Sequence, residues 1–429
     1  MTKRDRTNVY RSRTQARNAA RDELLARATS EDGDASKSHR PTSGRSKTTG
    51  RASAGPAGAS GRSRASARRT GSSRKPASRP RSGGGGVRVE SGPARGRFRR
   101  RVLGALAVAS SAAAMVAVLA RSLPSDLQAL PYVPVLVSAT PWFIVVAAFA
   151  LVAALASRRF VAALVAMAAL AVNVWWQYPF FASRDVLPER AATAVAQAHA
   201  DTSDAYARVM TFNVYKGRAD AEAVVETVRD QRVEVLALQE TTDGFVEALR
   251  KAGIEDYLPY SQISSSDGVY GNGLWSAAPL EDPSDDDVDS SASFMPGGTV
   301  EFAGSKRIRF VSVHTTAPVP GYWRQWKRSL DELAMMRSNT DDTFVFMGDF
   351  NATTDHAPFR GFLGERFRDA AMMSGHGFTF TWPADRGLLP RFAGIDHVVV
   401  DRGVAAGRMQ VVRIAGSDHA ALLATLAFS

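Results

Sequence analysis

Three long stretches without a charged residue limit what this chain can become. Val102–Ala120 runs for 19 residues, Val133–Ala156 for 24, and Phe160–Phe181 for 22, the last interrupted only by Asn173 and Gln177. At a helical rise of about 1.5 Å per residue, each is long enough to cross a hydrocarbon core of about 30 Å. A cleaved leader would lie near residue 1, whereas the first of these stretches opens at Val102. The expectation is three transmembrane helices, 102–120, 133–156 and 160–181, within residues 101–182. Pro141 should kink the second, and Trp175, Trp176 and Tyr178 should form an interfacial belt on the third. Asn173 and Gln177 are expected to satisfy each other or a neighbouring helix.

Charge divides the chain at the same place. Residues 1–101 hold 27 Lys and Arg against 7 Asp and Glu, a net of +20, so the remainder carries −8 of the total +12. Residues 1–100 are rich in Arg, Ser, Gly and Pro and have too little apolar surface to offset the entropy of ordering; a disordered basic tail is expected. Within it, residues 11–28 have the composition of a transient helix. Arg95, Arg97, Arg99, Arg100 and Arg101 precede the first span and Arg158 and Arg159 fill the second loop, against Arg121 alone in the first loop. Positive residues stay inside, which predicts a cytoplasmic N-terminus and places everything after Phe181 outside the cytoplasm. With no cysteine, disulfides, thiolate chemistry and Cys-based zinc sites are excluded.

Residues 183–206 read as a polar, Ala-rich linker that starts helical. From Ala207 to Ser429, short β-like runs alternate with helical stretches such as Ala219–Arg232 and Trp323–Met336, the pattern of a layered α/β domain. Several runs end in polar residues suited to holding a phosphate or a hard cation. Phe344-Val-Phe-Met-Gly-Asp-Phe-Asn-Ala352 delivers Asp349 and Asn351 at i and i+2, on one side if the backbone stays extended. Arg208–Val214 brings Asn213, Val233–Glu240 brings Glu240, and Arg309–Thr315 brings His314. Tyr270–Ser276 is another such strand, Gly394–Val400 opens near Asp396, and Gly416-Ser-Asp-His-Ala420 carries Asp418 and His419. Taken singly, each has an ordinary reading: Asn213 as an Asx-turn residue, Glu240 as a helix cap, His314 as a structural histidine. The run Asp285–Asp287 reads as a solvated loop. His356, His376 and His397 read as loop or surface residues.

Taken in order, Asn213, Glu240, His314, Gly348-Asp-Phe-Asn-Ala352, Asp396 and Ser417-Asp-His419 resemble the endonuclease/exonuclease/phosphatase (DNase-I-like) superfamily across residues 207–429. The resemblance implies a four-layer α/β/β/α sandwich and metal-dependent phosphoester hydrolysis. Glu240, Asp418 and Asn213 would serve Mg²⁺ or Mn²⁺. Asp349 would be the base and Asn351 would orient the water, while His419, paired with Asp396, and His314 would stabilise the phosphoryl oxygens. Tyr270-Gly-Asn-Gly-Leu-Trp-Ser276 departs from the family pattern, continuing as Ala277-Ala-Pro279 where an arginine is usual. The architecture is also similar to membrane-anchored bacterial members associated with glycopeptide resistance.

The expected substrate is a phosphorylated small molecule or lipid at the outer face of the membrane, with Phe378, Phe380, Trp382 and Tyr322 as candidates for its apolar part. An extracellular nuclease is the alternative; it would want a basic groove, and the −8 balance and missing arginine disfavour nucleic acid. A non-catalytic binding module is the third reading, opposed by the completeness of the acidic and histidine set. No obligate protein partner is inferred.

Overall fold

The computed structural model describes residues 93–182, 187–197, 201–387 and 389–429. Most of the expected disordered tail, including the transient helix at 11–28, lies outside the described residues. Its last residues do not follow the expectation, because the first long helix already begins at Pro93 and runs to Ser122. Three helical segments, Gly96–Ser122, Thr140–Ser157 and Phe160–Phe180, are long and apolar enough to cross a membrane. The second expected span is divided: Val133–Ser138 is a separate short helix, and the long segment restarts around Pro141. Side chains in this bundle are sorted by size. Ala107, Ala114, Ala147, Ala154, Ala166 and Ala169 are buried between helices, while Val145, Leu164 and Val152 face outward. Small residues let apolar helices approach closely, and large ones outside suit a lipid environment.

Twelve strands build the rest, in two six-stranded sheets. In chain order they are β1 (Tyr206–Asn213), β2 (Val235–Gln239), β3 (Tyr260–Ser264), β4 (Asn272–Ser276), β5 (Glu281–Ser284) and β6 (Gly297–Phe302). Then come β7 (Lys306–His314), β8 (Thr343–Asp349), β9 (Arg368–Asp369), β10 (Asp396–Val400), β11 (Val404–Val412) and β12 (Ala421–Phe428). One sheet has the order β11-β12-β1-β2-β4-β3, and the other β5-β6-β7-β8-β10-β9.

Period-2 alternation sets the layers. Val209, Val235, Val345 and Met347 point between the sheets into a shared core with Phe302, Phe310 and Leu422. Their neighbours Met210, Phe212, Leu236 and Leu238 face helices Ala221–Gln231 and Asp243–Lys251. On the far side, Phe344 and Phe346 meet helices Trp323–Met335 and Ala357–Leu363. The result is the four-layer α/β/β/α sandwich expected from the sequence.

The sandwich also rests on the helical bundle. Trp142 stacks on Phe380 at 5.7 Å and donates its indole N–H to the Phe392 carbonyl at 2.9 Å. Phe180 and Phe181 pack on Phe378 at 5.2 and 5.1 Å. Gln177, expected to pair within the bundle, instead donates to both oxygens of Asp355 at 3.1 Å, and Asn173 bonds its own helix at the Ala169 carbonyl. These contacts lie at the bundle end opposite Arg100, which donates to the Ser157 carbonyl beside Arg158.

Candidate active site

Topology brings the polar strand ends together. β1 and β2 run parallel, as do β7 and β8, so Asn213, Glu240, His314 and Asp349 all fall at C-terminal ends. β10 lies antiparallel to β8 with Asp396 opposite Asp349, and β12 lies antiparallel to β1, so Asp418 and His419 arrive just before it. Gly348 is required by sterics, since a Cβ there would sit 1.8 Å from the Val313 carbonyl oxygen. Glu240, His314, Asp349, Asn351, Asp418 and His419 line one cavity of about 640 Å³. Asn213 and Asp396 are buried in support of it.

Asp349 is the hub. Its Oδ2 accepts the Asn213 amide N–H at 3.1 Å and lies 3.6 Å from His419 Nε2 and 3.8 Å from His314 Nε2. Its Oδ1 accepts the Asn351 backbone N–H at 2.8 Å. Burial raises this carboxyl to about 6, against the pull of the His419 cation. A carboxylate so placed is ionised near neutrality and close enough to its pKa to take a proton. Burial alone would lower the His419 imidazolium, but Asp396, whose Oδ2 is 2.9 Å from His419 Nδ1, and Asp349 override it and hold the pKa at about 10. His419 is therefore a fixed cation beside the base. His314 bonds the Val269 carbonyl through Nδ1 at 3.0 Å; a carbonyl only accepts, so that nitrogen carries a proton, while Nε2 faces the acceptors Asp349 and Glu240.

Two predicted residues adopt other arrangements. Asn213 uses its oxygen to accept the Tyr215 N–H at 2.9 Å, while its amide nitrogen links Glu240 and Asp349. It thus joins the two carboxylates. Asn351 is not on extended backbone: its φ is +46°, so the i, i+2 argument fails two residues past the strand. Its placement comes instead from Thr315, whose carbonyl accepts the Asn351 amide at 2.9 Å, and from Trp326, whose indole donates to the Asn351 carbonyl at 2.9 Å.

A metal can be tested against the donor set. Glu240 Oε2 and Asp418 Oδ1 are buried without a hydrogen-bond partner, a costly state that a bound cation would relieve. Burial pushes the Asp418 carboxyl up against the pull of His419, and the Glu240 carboxylate adds to the rise. The set fits a hard cation. Asp349, Asp396 and His419 also cluster tightly enough to suggest a metal. There, however, the imidazole is protonated and engaged with both carboxylates, so we favour the Glu240–Asp418 side.

Several contributors carried no assignment in the sequence. Ser417 donates to the Asn213 carbonyl at 2.7 Å and accepts the His419 N–H at 3.0 Å, tying the β1 end to the Asp418 turn. Trp382, expected only as a substrate-side aromatic, donates to Asp418 Oδ2 at 3.4 Å. His356 and His397 are buried, contrary to the surface reading, whereas His376 is exposed. His397 reaches Asp369 at 2.7 Å and the Ala352 carbonyl at 2.8 Å; both partners are acceptors, so its ring carries two protons. Asp287 is no solvated loop residue either: it pairs with Arg309 through two bonds of 2.7 Å. Of the four aromatic candidates, Trp382 and Tyr322 line the cavity, but Phe378 and Phe380 pack against the bundle.

Fold and site together define a two-sheet α/β sandwich with a carboxylate–histidine centre at the strand ends. Residues 210–419 match the model of the Endonuclease/Exonuclease/phosphatase family. Members of that family are hydrolases acting on phosphoester bonds. No curated protein matches the chain. Among solved structures, it is similar to humanized D. rerio TDP2, at 16% identity over 52% of this chain and 99% of that one, with a TM-score of 0.43. It is also similar to D. rerio TDP2 complexed with a single-strand DNA product, at 16% identity over 52% and 99%, with a TM-score of 0.44. An endonuclease/exonuclease/phosphatase family protein from Leptotrichia buccalis gives 14% identity over 52% and 100%, with a TM-score of 0.43.

Proposed function

We propose that this protein is a membrane-anchored, metal-dependent phosphoesterase whose substrate is a phosphorylated lipid or a related envelope molecule outside the cytoplasm. The observation that carries this reading is the make-up of the cavity. Its floor is the charged cluster around Asp349, and part of its wall is Val135 and Ser138 from the helix between the apolar segments. A phosphoryl group on that floor lies beside the membrane-side helices, where a lipid headgroup would be presented. Tyr322, Val319 and Phe392 make the rest of the wall largely apolar, poorly suited to tracking the phosphates of a nucleic acid. An apolar groove lined by Trp142, Val145, Phe181 and Phe380 lies between the bundle and the sandwich, in keeping with a lipid-borne substrate.

In this reading Glu240 and Asp418 hold Mg²⁺ or Mn²⁺, which supplies charge neutralisation at the phosphoryl group when bound. Asp349 accepts the proton of the attacking water. The Asn351 carboxamide oxygen, with no protein partner among the described residues, orients that water. The His419 cation, held by Asp396, stabilises charge growing on the phosphoryl oxygens, and His314 Nε2 completes the cradle. Asn213 keeps Glu240 and Asp349 in register. The sandwich meets the bundle opposite the arginine-rich end, so positive residues inside put the active site outside the cytoplasm.

The test is to incubate the full chain in nanodiscs with Mg²⁺ and a lipid pyrophosphate, a lipid phosphodiester, a soluble phosphomonoester or DNA. Metal-dependent turnover of a lipid phosphate above DNA is expected. Turnover that persists undiminished after chelation would refute the metal assignment.

A further inference from the structure

We propose that Asp355 and His356 are positioning residues through which the helical bundle sets the turn carrying Asn351, making the bundle a working part of the site. Asp355 is buried, and the side chains that pair with its carboxylate come from the ends of two long helices. Arg121 Nε meets Oδ1 at 2.5 Å, and Gln177 donates to both oxygens at 3.1 Å. The Arg121 guanidinium in turn lies 4.0 Å over the Trp176 ring. Within the sandwich, Arg360 donates to the backbone carbonyl of Asp355 and not to its carboxylate. A buried carboxylate stripped of its partners is strongly destabilising. The turn is thus complete only with the bundle in place.

His356 makes the second link. Its Nε2 donates to the Pro134 carbonyl at 2.9 Å, which leaves Nδ1 to accept the Thr353 N–H at 2.8 Å. Pro134 belongs to the short helix Val133–Ser138 whose Val135 and Ser138 wall the cavity. The imidazole also sits edge-on to Trp326 at 5.1 Å, and Trp326 holds the Asn351 carbonyl. One ring therefore registers the cavity wall against the catalytic turn. A third contact closes the arrangement: the Ala357 N–H donates to Gln128 Oε1 at 2.7 Å, and Gln128 Nε2 reaches the carbonyls of Ala120 and Arg121. Polar contacts from separate parts of the bundle converge on three consecutive residues, Asp355, His356 and Ala357, a few positions after Asn351.

The test uses the full chain in nanodiscs, with Asp355→Asn and His356→Ala, and Gln128→Ala in case either fails to fold. Hydrogen exchange of metal-free protein reads positioning without any assumption about the reaction. The expected result is exchange at Thr353 and Ala357 faster by about tenfold, with β8 amides unchanged, as for loss of one or two buried hydrogen bonds. The activity arm rests on the phosphoesterase reading and uses bis(p-nitrophenyl) phosphate with Mg²⁺. There kcat should fall about tenfold while KM stays within about twofold, the pattern of a misplaced group and not of lost binding. Unchanged exchange in the folded variants overturns the proposal, as does faster exchange with kcat intact. Faster exchange in a protein whose wild type hydrolyses no phosphoester supports the positioning and removes the phosphoesterase reading instead.

Discussion

The two sides of the cavity solve the burial of polar groups in opposite ways. On the strand-end side, charges face charges: His419 sits between Asp396 and Asp349 and stays protonated up to about 10. On the bundle side, His356 is equally buried, yet burial drives its pKa down to about 4, because its ring partners are the Pro134 carbonyl and the Thr353 N–H and no carboxylate touches it. The same residue type is a cation in one wall and a neutral hydrogen-bonding strut behind the other. Neighbours, not depth, decide the role. The charged wall is suited to chemistry and the neutral wall to alignment.

Substitutions should separate the two walls. The largest effects belong to the charged side. Asp349→Asn and His419→Ala should each lower kcat by at least about a hundredfold; thermal unfolding should stay close to wild type for Asp349→Asn, whereas His419→Ala should also lower stability because it leaves buried Asp396 without its imidazolium partner. Glu240→Gln should weaken metal affinity by about ten- to a hundredfold, read by calorimetry, and excess Mg²⁺ should restore much of the activity.

Protonation offers a sharper contrast. Activity should rise as pH climbs through about 6, where Asp349 loses its proton, and should hold until His419 deprotonates near 10. Asp396→Asn should move the alkaline limb downward, because His419 loses the carboxylate that keeps it charged, and should move the acid limb the same way to a smaller extent, because Asp349 loses a like-charged neighbour. The smallest effect is expected at Trp382→Phe, which removes one long hydrogen bond to Asp418 and should cost a few-fold in metal affinity, on the order of one net hydrogen bond.

How much of this was legible in the sequence differs between the walls. Strand ends are local features: a hydrophobic run followed by Asp349, Glu240 or His314 announces itself, and parallel pairing then gathers those ends. The i, i+2 rule failed at Asn351 because the backbone turns left-handed there, and its holders Thr315 and Trp326 lie on other elements. The bundle-side wall was invisible for a different reason. Arg121 and Asp355 are 234 residues apart, and nothing local to either marks the pair. Gln177 looked like a polar residue seeking a partner within the bundle, and Phe378 and Phe380 looked like a substrate mouth. Each docks the sandwich to the bundle, and the two phenylalanines line the apolar groove there and not the cavity. Sequence periodicity reports which face of an element is apolar, not which distant surface covers it.

Salt dependence of substrate choice bears most directly on the proposed activity. Full-length protein in nanodiscs, supplied with Mg²⁺, would be offered a lipid-linked phosphate and duplex DNA from low to physiological ionic strength. A site reading one phosphoryl group should turn over the lipid faster than DNA, with rates nearly flat in salt, and Asp349→Asn should abolish that turnover. A nuclease tracking several phosphates loses affinity with a log–log slope of about −0.9 per phosphate contacted. Efficient cleavage of DNA that falls steeply with salt, with the lipid phosphate untouched, would contradict the lipid-phosphate reading and establish a nuclease.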